Sequence, residues 1–259
     1  KNAQHNFDVA MIALERIFAT IGQTQASEQL ADFDGEQSWL SMPQAPPVTR
    51  NEAQLLKDML SFYDQFIAGN ADDTNIPLKR AEAQQRVGKI QSLLGNNQAA
   101  ESAYGQALRT YHNLHKQFPD NNTYPLQIVE LKSELGMLCR TNGRLLDSVN
   151  HHREALEFLD QLPKTIRQTP TARFRRARIY NLLGLPPQRG SRLETSDPGM
   201  AAKVLDQLFQ EMGSSRFDLF LQSSTILNEL IKQYPKNANY KIEKVRGLTN
   251  MMRLPNRPK

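Results

Sequence analysis

The stretch AEAQQRVGKIQSLLGNNQAAESAYGQALRTYHNLHKQFP at residues 81–119 decides the fold, because its small and aromatic residues recur later in the chain. Within it, a frame of small and aromatic side chains is formed by Gly88, Gly95, Ala100, Tyr104 and Ala107. Shifted by 48 residues, the same frame holds Gly136, Gly143, Ser148, His152 and Ala155. Small residues let two antiparallel helices approach, and an aromatic ring fills the gap between them. The sequence therefore predicts a repeated helical hairpin.

A shorter repeat marks two turns between helices. The segment FPDNNTY at residues 118–124 returns as YPKNANY at residues 234–240. Proline ends a helix, and asparagine is a good residue at a helix cap. Each copy is therefore expected where one helix ends and the next begins.

The composition favours a nearly all-helical protein of 259 residues, because apolar residues recur at spacings of three and four and strand patterns are missing. The single cysteine, Cys139, excludes an internal disulfide framework and cannot form a zinc site alone. It lies in the second copy of the repeat, where a small buried residue is expected. We therefore interpret it as a core residue and not as a reactive thiol.

Charge and hydropathy limit the classes of partner. The formal net charge is +5 and the isoelectric point is near 9.3, which weakly favours acidic partners. No apolar run approaches the ~20 residues that cross a bilayer. The chain opens on Lys1 without an initiator methionine, so we expect it to be a fragment of a longer protein.

Two regions are predicted. Residues 1–74 form an N-terminal helical pair with a proline-containing connector, and residues 75–259 form the helical repeat array. The expected elements are helices at 6–22 and 51–68 joined by a connector at 23–50, hairpins at 76–119 and 122–163, a third first helix at 172–184, a loop at 185–199, and helices at 200–212, 216–234 and 239–251.

A run of arginines at residues 173–178 raises the question of nucleic-acid binding. At 100° per residue, Arg175 and Arg178 share one stripe of a helix, whereas Arg173 and Arg176 share another on roughly the opposite side. A nucleic-acid footprint needs its charges on one surface. The spacing therefore argues against nucleic acid as the partner.

Catalytic and metal-binding patterns are missing from the sequence. His112 and His115 stand one helical turn apart, but two histidines without a third ligand are weak evidence for a metal. No nucleophile elbow or glycine-rich phosphate loop occurs. We therefore predict no catalytic residue, no cofactor and no metal, and interpret both histidines as surface or partly packed residues.

The run RVGKIQSLLGNNQAAESAYGQALRTYHNLHKQFPDNNTYPLQIVELKSELGMLCRTNGR at residues 86–144 resembles the tetratricopeptide arrays of planctomycete bacteria, which follow a serine/threonine protein kinase domain. The helices NFDVAMIALERIFATIG and LLKDMLSFYDQFIAGN are similar to the segment that leads into those arrays. The resemblance covers residues 6–162, and it is fainter at 172–184 and 230–251.

The resemblance implies a regulatory or scaffolding region, separated from an upstream kinase by a membrane span and lying outside the cytoplasm. The chain departs from the family pattern in two ways. His152 and Ser148 replace the usual aromatic residue and alanine, and the loop at 185–199 interrupts the third repeat, so the resemblance does not carry a continuous groove beyond Gly184. No kinase motif is present in this chain, so kinase activity is not carried over. The expected fold is all-α, with stacked antiparallel hairpins in a tetratricopeptide-like superhelix behind an N-terminal helical cap.

In such an array the first helix of each hairpin lines the concave face and offers side chains to a peptide. The glycine frame predicts that eight residues point into this groove: Gln85, Lys89, Ser92, Ser133, Met137, Arg140, Arg178 and Asn181. Their cations, amides and thioether suit an extended backbone and an acidic side chain. The alternative is that these side chains are merely solvated.

The sequence therefore favours a non-catalytic module that binds a protein or peptide, within a kinase-associated or other signalling protein. One rival is a structural module that associates with its own twin. Another is a basic domain that binds RNA or a membrane surface, and its binding would weaken steeply as salt rises.

Overall fold

The computed structural model describes residues 49–69, 77–185, 207, 209–210, 213–252 and 254. Within these residues the protein is all-helical. The helices are α1 (Arg50–Gly69), α2 (Pro77–Leu93), α3 (Asn97–Gln117), α4 (Thr123–Thr141), α5 (Leu145–Gln161), α6 (Lys164–Arg167), α7 (Pro170–Gly184), α8 (Arg216–Gln233) and α9 (Ala238–Met252). The predicted helices at 51–68, 216–234 and 239–251 are thus confirmed to within a residue or two.

Several sequence predictions fall outside the described residues. They are the helix at 6–22, all but the last two residues of the connector at 23–50, nearly all of the loop at 185–199 and most of the helix at 200–212. The four-residue helix α6, which links α5 to α7, was not predicted from the sequence.

The 48-residue frame reappears as two hairpins with the same geometry. In the α2–α3 hairpin, a Cβ atom added to Gly88 would lie 2.5 Å from Cδ1 of Tyr104. In the α4–α5 hairpin, a Cβ atom added to Gly136 would lie 2.6 Å from Cε1 of His152. Each ring therefore fills the space that the missing side chain leaves, as the frame predicts.

The turns inside these two hairpins are also equivalent. Gly95 has a φ of 79° and Gly143 a φ of 77°, a left-handed conformation that favours glycine. The amide of Gly95 donates to the carbonyl of Ser92 at 3.1 Å, and the amide of Gly143 donates to the carbonyl of Arg140 at 3.0 Å. The sequence repeat is therefore a repeat of backbone conformation.

A pair of side chains crosses each hairpin at the same place. Nε2 of Gln84 donates to Oε1 of Gln106 at 2.9 Å. Lys132 and Glu154, each 48 residues further along, form an ion pair of 2.6 Å. The two copies thus have the same antiparallel register although the chemistry of the pair differs.

A third hairpin is formed by α7 and α8. A Cβ atom on Gly184, 48 residues after Gly136, would lie 2.8 Å from the ring of Phe220. Thr169 caps α7 by accepting a bond from the amide of Ala172, and Ser215 opens α8 with a capping box. The third copy thus keeps the glycine and ring contact across a much longer connection.

The last helix, α9, follows a turn that matches the one before α4. Phe118 and Tyr124 place their ring centroids 6.3 Å apart, and so do Tyr234 and Tyr240. The amides of Phe118 and Tyr234 both close the preceding helix on a leucine carbonyl four residues back. By this geometry α9 takes the place of the first helix of a further hairpin.

Apolar side chains fill the space between neighbouring helices along the array. Leu56, Met59 and Tyr63 of α1 are buried against α2 and share a cluster with Ala83 and Ile90. The helix α1, which is the described part of the first predicted region, therefore contributes to the same core as the first hairpin.

The cysteine lies in the interior of this packing. Cys139 of α4 has no exposed surface and forms no disulfide. Its prediction as a core residue is confirmed.

Candidate functional site

Ion pairs join the first helices of the three hairpins. Glu134 of α4 accepts Nζ of Lys89 from α2 at 3.1 Å and Nη2 of Arg178 from α7 at 3.3 Å. The Glu134 side chain is 13% exposed, and Lys89 is the most open of the three at 40%. One carboxylate therefore connects three helices.

A second carboxylate extends the connection along α7. Glu130, one turn before Glu134, accepts Nη1 of Arg178 at 2.8 Å and Nε of Arg175 at 3.3 Å. We call the five residues Lys89, Glu134, Arg178, Glu130 and Arg175 the charge ladder. It carries three cations and two carboxylates on the face shared by α2, α4 and α7.

Two groups of the ladder, Glu134 and Arg178, are held in their charged forms. Burial raises the pKa of Glu134. The charges and hydrogen bonds of Lys89 and Arg178 together outweigh this effect and lower the pKa to about 2. Burial lowers the pKa of Arg178, and the two carboxylates more than reverse this, so its net pKa is raised. Glu134 and Arg178 therefore stay charged at neutral pH.

The eight predicted groove residues separate into three sets. Lys89 and Arg178 belong to the charge ladder. Three more are partly exposed on the same helices: Gln85, Ser92 and Met137. The other three are buried: Ser133 at 4%, Arg140 at 5% and Asn181 at 2% exposure. A side chain this buried does not meet a solvent-borne peptide without rearrangement.

Packing by α9 explains the burial of Asn181. Nδ2 of Asn181 donates to Oε1 of Glu243 at 2.8 Å and to the Glu243 carbonyl at 3.1 Å. A Cβ atom on Gly247 would lie 2.5 Å from Oδ1 of Asn181, so the two helices meet closely there. The amide that was predicted to hold a peptide backbone instead holds α9.

Arg140 also lies inside the protein. Burial, with a smaller contribution from the nearby charge of Arg216, lowers the pKa of its guanidinium to about 10. The glycine frame predicts the side of α4 on which Arg140 lies. It does not predict which other parts of the chain pack against that side and bury Arg140.

A buried polar residue lies behind the charge ladder. His152 is 1% exposed, and neither ring nitrogen has a hydrogen-bond partner among the described residues. Burial, with the charges of Arg140, His151 and Arg178, lowers its pKa to about 3, and Glu134 opposes this weakly. The ring is therefore neutral at pH 7 and serves as a packing group.

The carboxylates of the ladder were not among the predicted groove residues, although the sequence contains a signal for one pair. Glu130 and Arg178 are 48 residues apart, so they occupy the same position in consecutive repeats. Equivalent positions of neighbouring repeats lie side by side in an array. Opposite charges at such positions predict an ion pair between first helices.

The arginine run divides as its helical spacing predicts. Arg175 and Arg178 contact Glu130, whereas Arg173 forms an ion pair with Glu229 of α8. Arg176 reaches Asp160 of α5 at 2.6 Å. Every arginine of the run thus has a carboxylate neighbour, and the run does not form a single basic surface.

The paired histidines of α3 pack on an aromatic side chain. His112 and His115 lie edge-on to Phe158, with ring centroids 5.8 and 6.2 Å away. Both are partly buried. Among the described residues, no three histidine, cysteine, aspartate or glutamate side chains are grouped closely enough to hold a metal ion.

These features define the described part of the chain as an all-helical repeat of hairpins with a polar face along its first helices. No helix in that part has the length and apolar character needed to cross a membrane. No family model, curated protein or solved structure matches the chain.

Proposed function

We propose that this chain is a non-catalytic, tetratricopeptide-like module that binds a protein or peptide along the face of α2, α4 and α7. The observation that carries the proposal is the charge ladder, because it collects polar groups from three consecutive repeats on one face. A partner that lies across the repeats would meet all of them. The wider assignment, a regulatory or scaffolding region of a kinase-associated signalling protein, rests on the sequence resemblance alone.

Lys89 is the residue best suited to recognise an acidic group of the partner. Its ammonium carries three donors and contacts one carboxylate, that of Glu134. At 40% exposure it can donate to a second carboxylate without breaking this pair. Gln85 and Ser92, near Lys89 on α2, would bond to the peptide backbone.

The neutralised arginine run favours a protein partner over a phosphate backbone. Nucleic-acid affinity comes largely from cations that neutralise phosphates. Arg173, Arg175, Arg176 and Arg178 already contact carboxylates of the same chain. A phosphate chain would have to displace these intramolecular partners.

A peptide-display experiment tests this proposal. The chain would be used to select from short random peptides, and the selected peptides would be titrated against Lys89→Glu and against Lys116→Glu. Lys116 is an exposed residue near the end of α3, a second helix, so the two variants match in charge. We expect acidic peptides that lose about tenfold in affinity, or ~1.4 kcal/mol, on Lys89→Glu only. Equal affinity for both variants would place the binding surface elsewhere.

A further inference from the structure

The last described helix, α9, exposes an apolar stripe. Ile242 is 40% exposed and Val245 is 55% exposed. The exposed Ala238 and the partly exposed Thr249, whose hydroxyl makes it polar, lie at the next positions of the same face. The four residues are separated by four, three and four positions. This is the heptad spacing with which one helix packs along another, and it covers about 17 Å of helix.

Comparison within the chain indicates what covers such a stripe. Because the turns before α4 and α9 match, Ile242 corresponds to Leu126 and Val245 corresponds to Val129. Leu126 and Val129 are buried among apolar side chains of α5 and α7. The exposed positions of α9 are therefore those that neighbouring helices cover in α4.

The charges beside the stripe select the partner. In the heptad register the positions that flank the contact hold Lys241 and Arg246, one on each side. The single acidic residue of α9, Glu243, is 4% exposed; it accepts a hydrogen bond from Asn181 of α7 and forms an ion pair of 2.9 Å with Arg246. The Arg246 side chain is nevertheless 50% exposed, and Lys241 is exposed on the other side of the stripe. The accessible charge along the stripe is thus positive, and an approaching helix needs acidic side chains at its own flanking positions.

The same charges argue against a second copy of this chain as the partner. In a parallel pair of helices, a flanking residue of one helix faces the flanking residue five positions later on the other. Two parallel copies of α9 would therefore bring Lys241 of one copy next to Arg246 of the other. Two antiparallel copies would set each cation against its own equivalent. Self-pairing through α9 therefore brings like charges together in either direction.

We propose that the exposed stripe of α9 binds an amphipathic helix of another protein, one with acidic side chains on both sides of its apolar stripe. A membrane surface fits less well, because the stripe is narrow and has no aromatic residue. None of the predicted groove residues and none of the charge-ladder residues lies on α9, so the stripe is a different surface from the one that carries the ladder.

Two synthetic helical peptides test the proposal. Both would have isoleucine and leucine at the contact positions of three heptads; one would have glutamate and the other lysine at the flanking positions. Fluorescence anisotropy with the whole chain should show the glutamate peptide binding at least about tenfold more tightly. Val245→Asp should reduce its affinity about tenfold, whereas Leu221→Asp, at a residue of α8 that is 43% exposed, should not.

A charge variant gives a second, independent readout. Lys241→Glu should weaken binding of the glutamate peptide and strengthen binding of the lysine peptide. Lys236→Glu, in the turn before α9, makes the same change of charge away from the stripe and should alter neither. Thermal unfolding followed by circular dichroism would verify that each variant is folded.

Four outcomes would overturn the proposal. Equal binding of both peptides, or equal loss with Leu221→Asp, would show that the stripe does not select an acidic helix. Binding to phosphatidylserine vesicles that Val245→Asp abolishes, without binding of either peptide, would assign the stripe to a membrane. A dimer in sedimentation that Val245→Asp dissociates would assign it to a second copy.

Discussion

The close contact between Gly88 and Tyr104 predicts the effect of one methyl group. Gly88→Ala would place a Cβ atom 2.5 Å from Cδ1 and 2.6 Å from Cε1 of a ring that is 1% exposed. Because the ring is buried, relieving the overlap requires the ring or the two helices to shift within the packed interior. We expect a loss of about 1–3 kcal/mol in the free energy of unfolding, measured by urea titration.

Gly105 in α3 is the matched control. A Cβ atom there would meet nothing closer than Nη1 of Arg109, at 3.7 Å. Alanine favours a helix over glycine, so Gly105→Ala should stabilise the protein by about 0.5–1 kcal/mol. Stabilisation by Gly88→Ala as well would contradict the assigned packing of the hairpin.

His152 predicts how stability depends on pH. Its pKa is lowered from 6.5 to about 3 in the folded protein, so between these values the unfolded chain binds a proton and the native chain does not. Stability should therefore fall as pH drops through 6.5, by about 2 kcal/mol between pH 7 and pH 5. His152→Phe, which supplies the ring found at position 220, should remove this part of the acid sensitivity in urea titrations.

The neighbouring His151 provides the control for this effect. It is partly exposed and adjacent in sequence, so His151→Asn removes a histidine without emptying the ring position. This variant should keep most of the acid sensitivity of the parent, because burial is the largest cause of the lowered pKa of His152 and the charge of His151 is a smaller one. If His152→Phe loses stability between pH 7 and pH 5 as steeply as the parent does, then His152 is not the group responsible.

At the scale of elements, Glu134 connects α2, α4 and α7. Glu134→Gln would leave Lys89 and Arg178 without the charge that both contact, and we expect a loss of about 1.5–3 kcal/mol. Glu101→Gln is the control, because the Glu101 side chain is 44% exposed and its pair with Arg144 joins only α3 and the start of α5. Its effect on the free energy of unfolding should be below about 1 kcal/mol.

The carboxylate of Glu134 also makes stability depend on pH, but its pKa is lowered by neighbouring cations, whereas that of His152 is lowered mainly by burial. The pKa of Glu134 is lowered from 4.5 to about 2, so its contribution to stability is present above pH 4.5 and is lost as pH falls towards 2. The Glu134→Gln variant should lack this component of acid unfolding. The same slope in variant and parent below pH 4.5 would show that the pair contributes nothing to stability.

The sequence predicts the hairpins well because their signals are local. Prolines, turn glycines and the spacing from Gly88 to Tyr104 lie within one hairpin, and together they determine helix ends and register. Contacts between hairpins are not local. Asn181 was predicted to face a ligand because nothing near it in sequence shows that Glu243 packs against it.

The way in which neighbouring hairpins pack side by side therefore determines which of the predicted groove residues remain accessible to a partner. Lys89 and Arg178 stay on the surface because carboxylates from α4 meet them there. Ser133 and Arg140, on the same side of α4 by the glycine frame, are covered by neighbouring elements. In the sequence, this packing can be inferred only by comparing residues at equivalent positions of consecutive repeats. Glu130 and Arg178 are such a pair.

At the scale of the whole molecule, the arrangement of neighbours predicts how unfolding is distributed. The central helix α4 packs against α3, α5 and α7, whereas α9 packs against α7 and α8. In a repeat array each unit is stabilised mainly by its neighbours, so local opening is easiest where neighbours are fewest. Amide hydrogen exchange should therefore be slowest in α4 and α5 and faster in α9.

The Gly88→Ala variant tests this distribution directly. If coupling passes only between neighbouring hairpins, the substitution should accelerate exchange strongly in α2 and α3, less in α4 and α5, and hardly at all in α8 and α9. This gradient follows because the strained contact lies between α2 and α3, and each further interface absorbs part of the effect. Equal acceleration in every helix would mean that the described helices unfold as one cooperative unit, and the account of independent repeats would then be wrong.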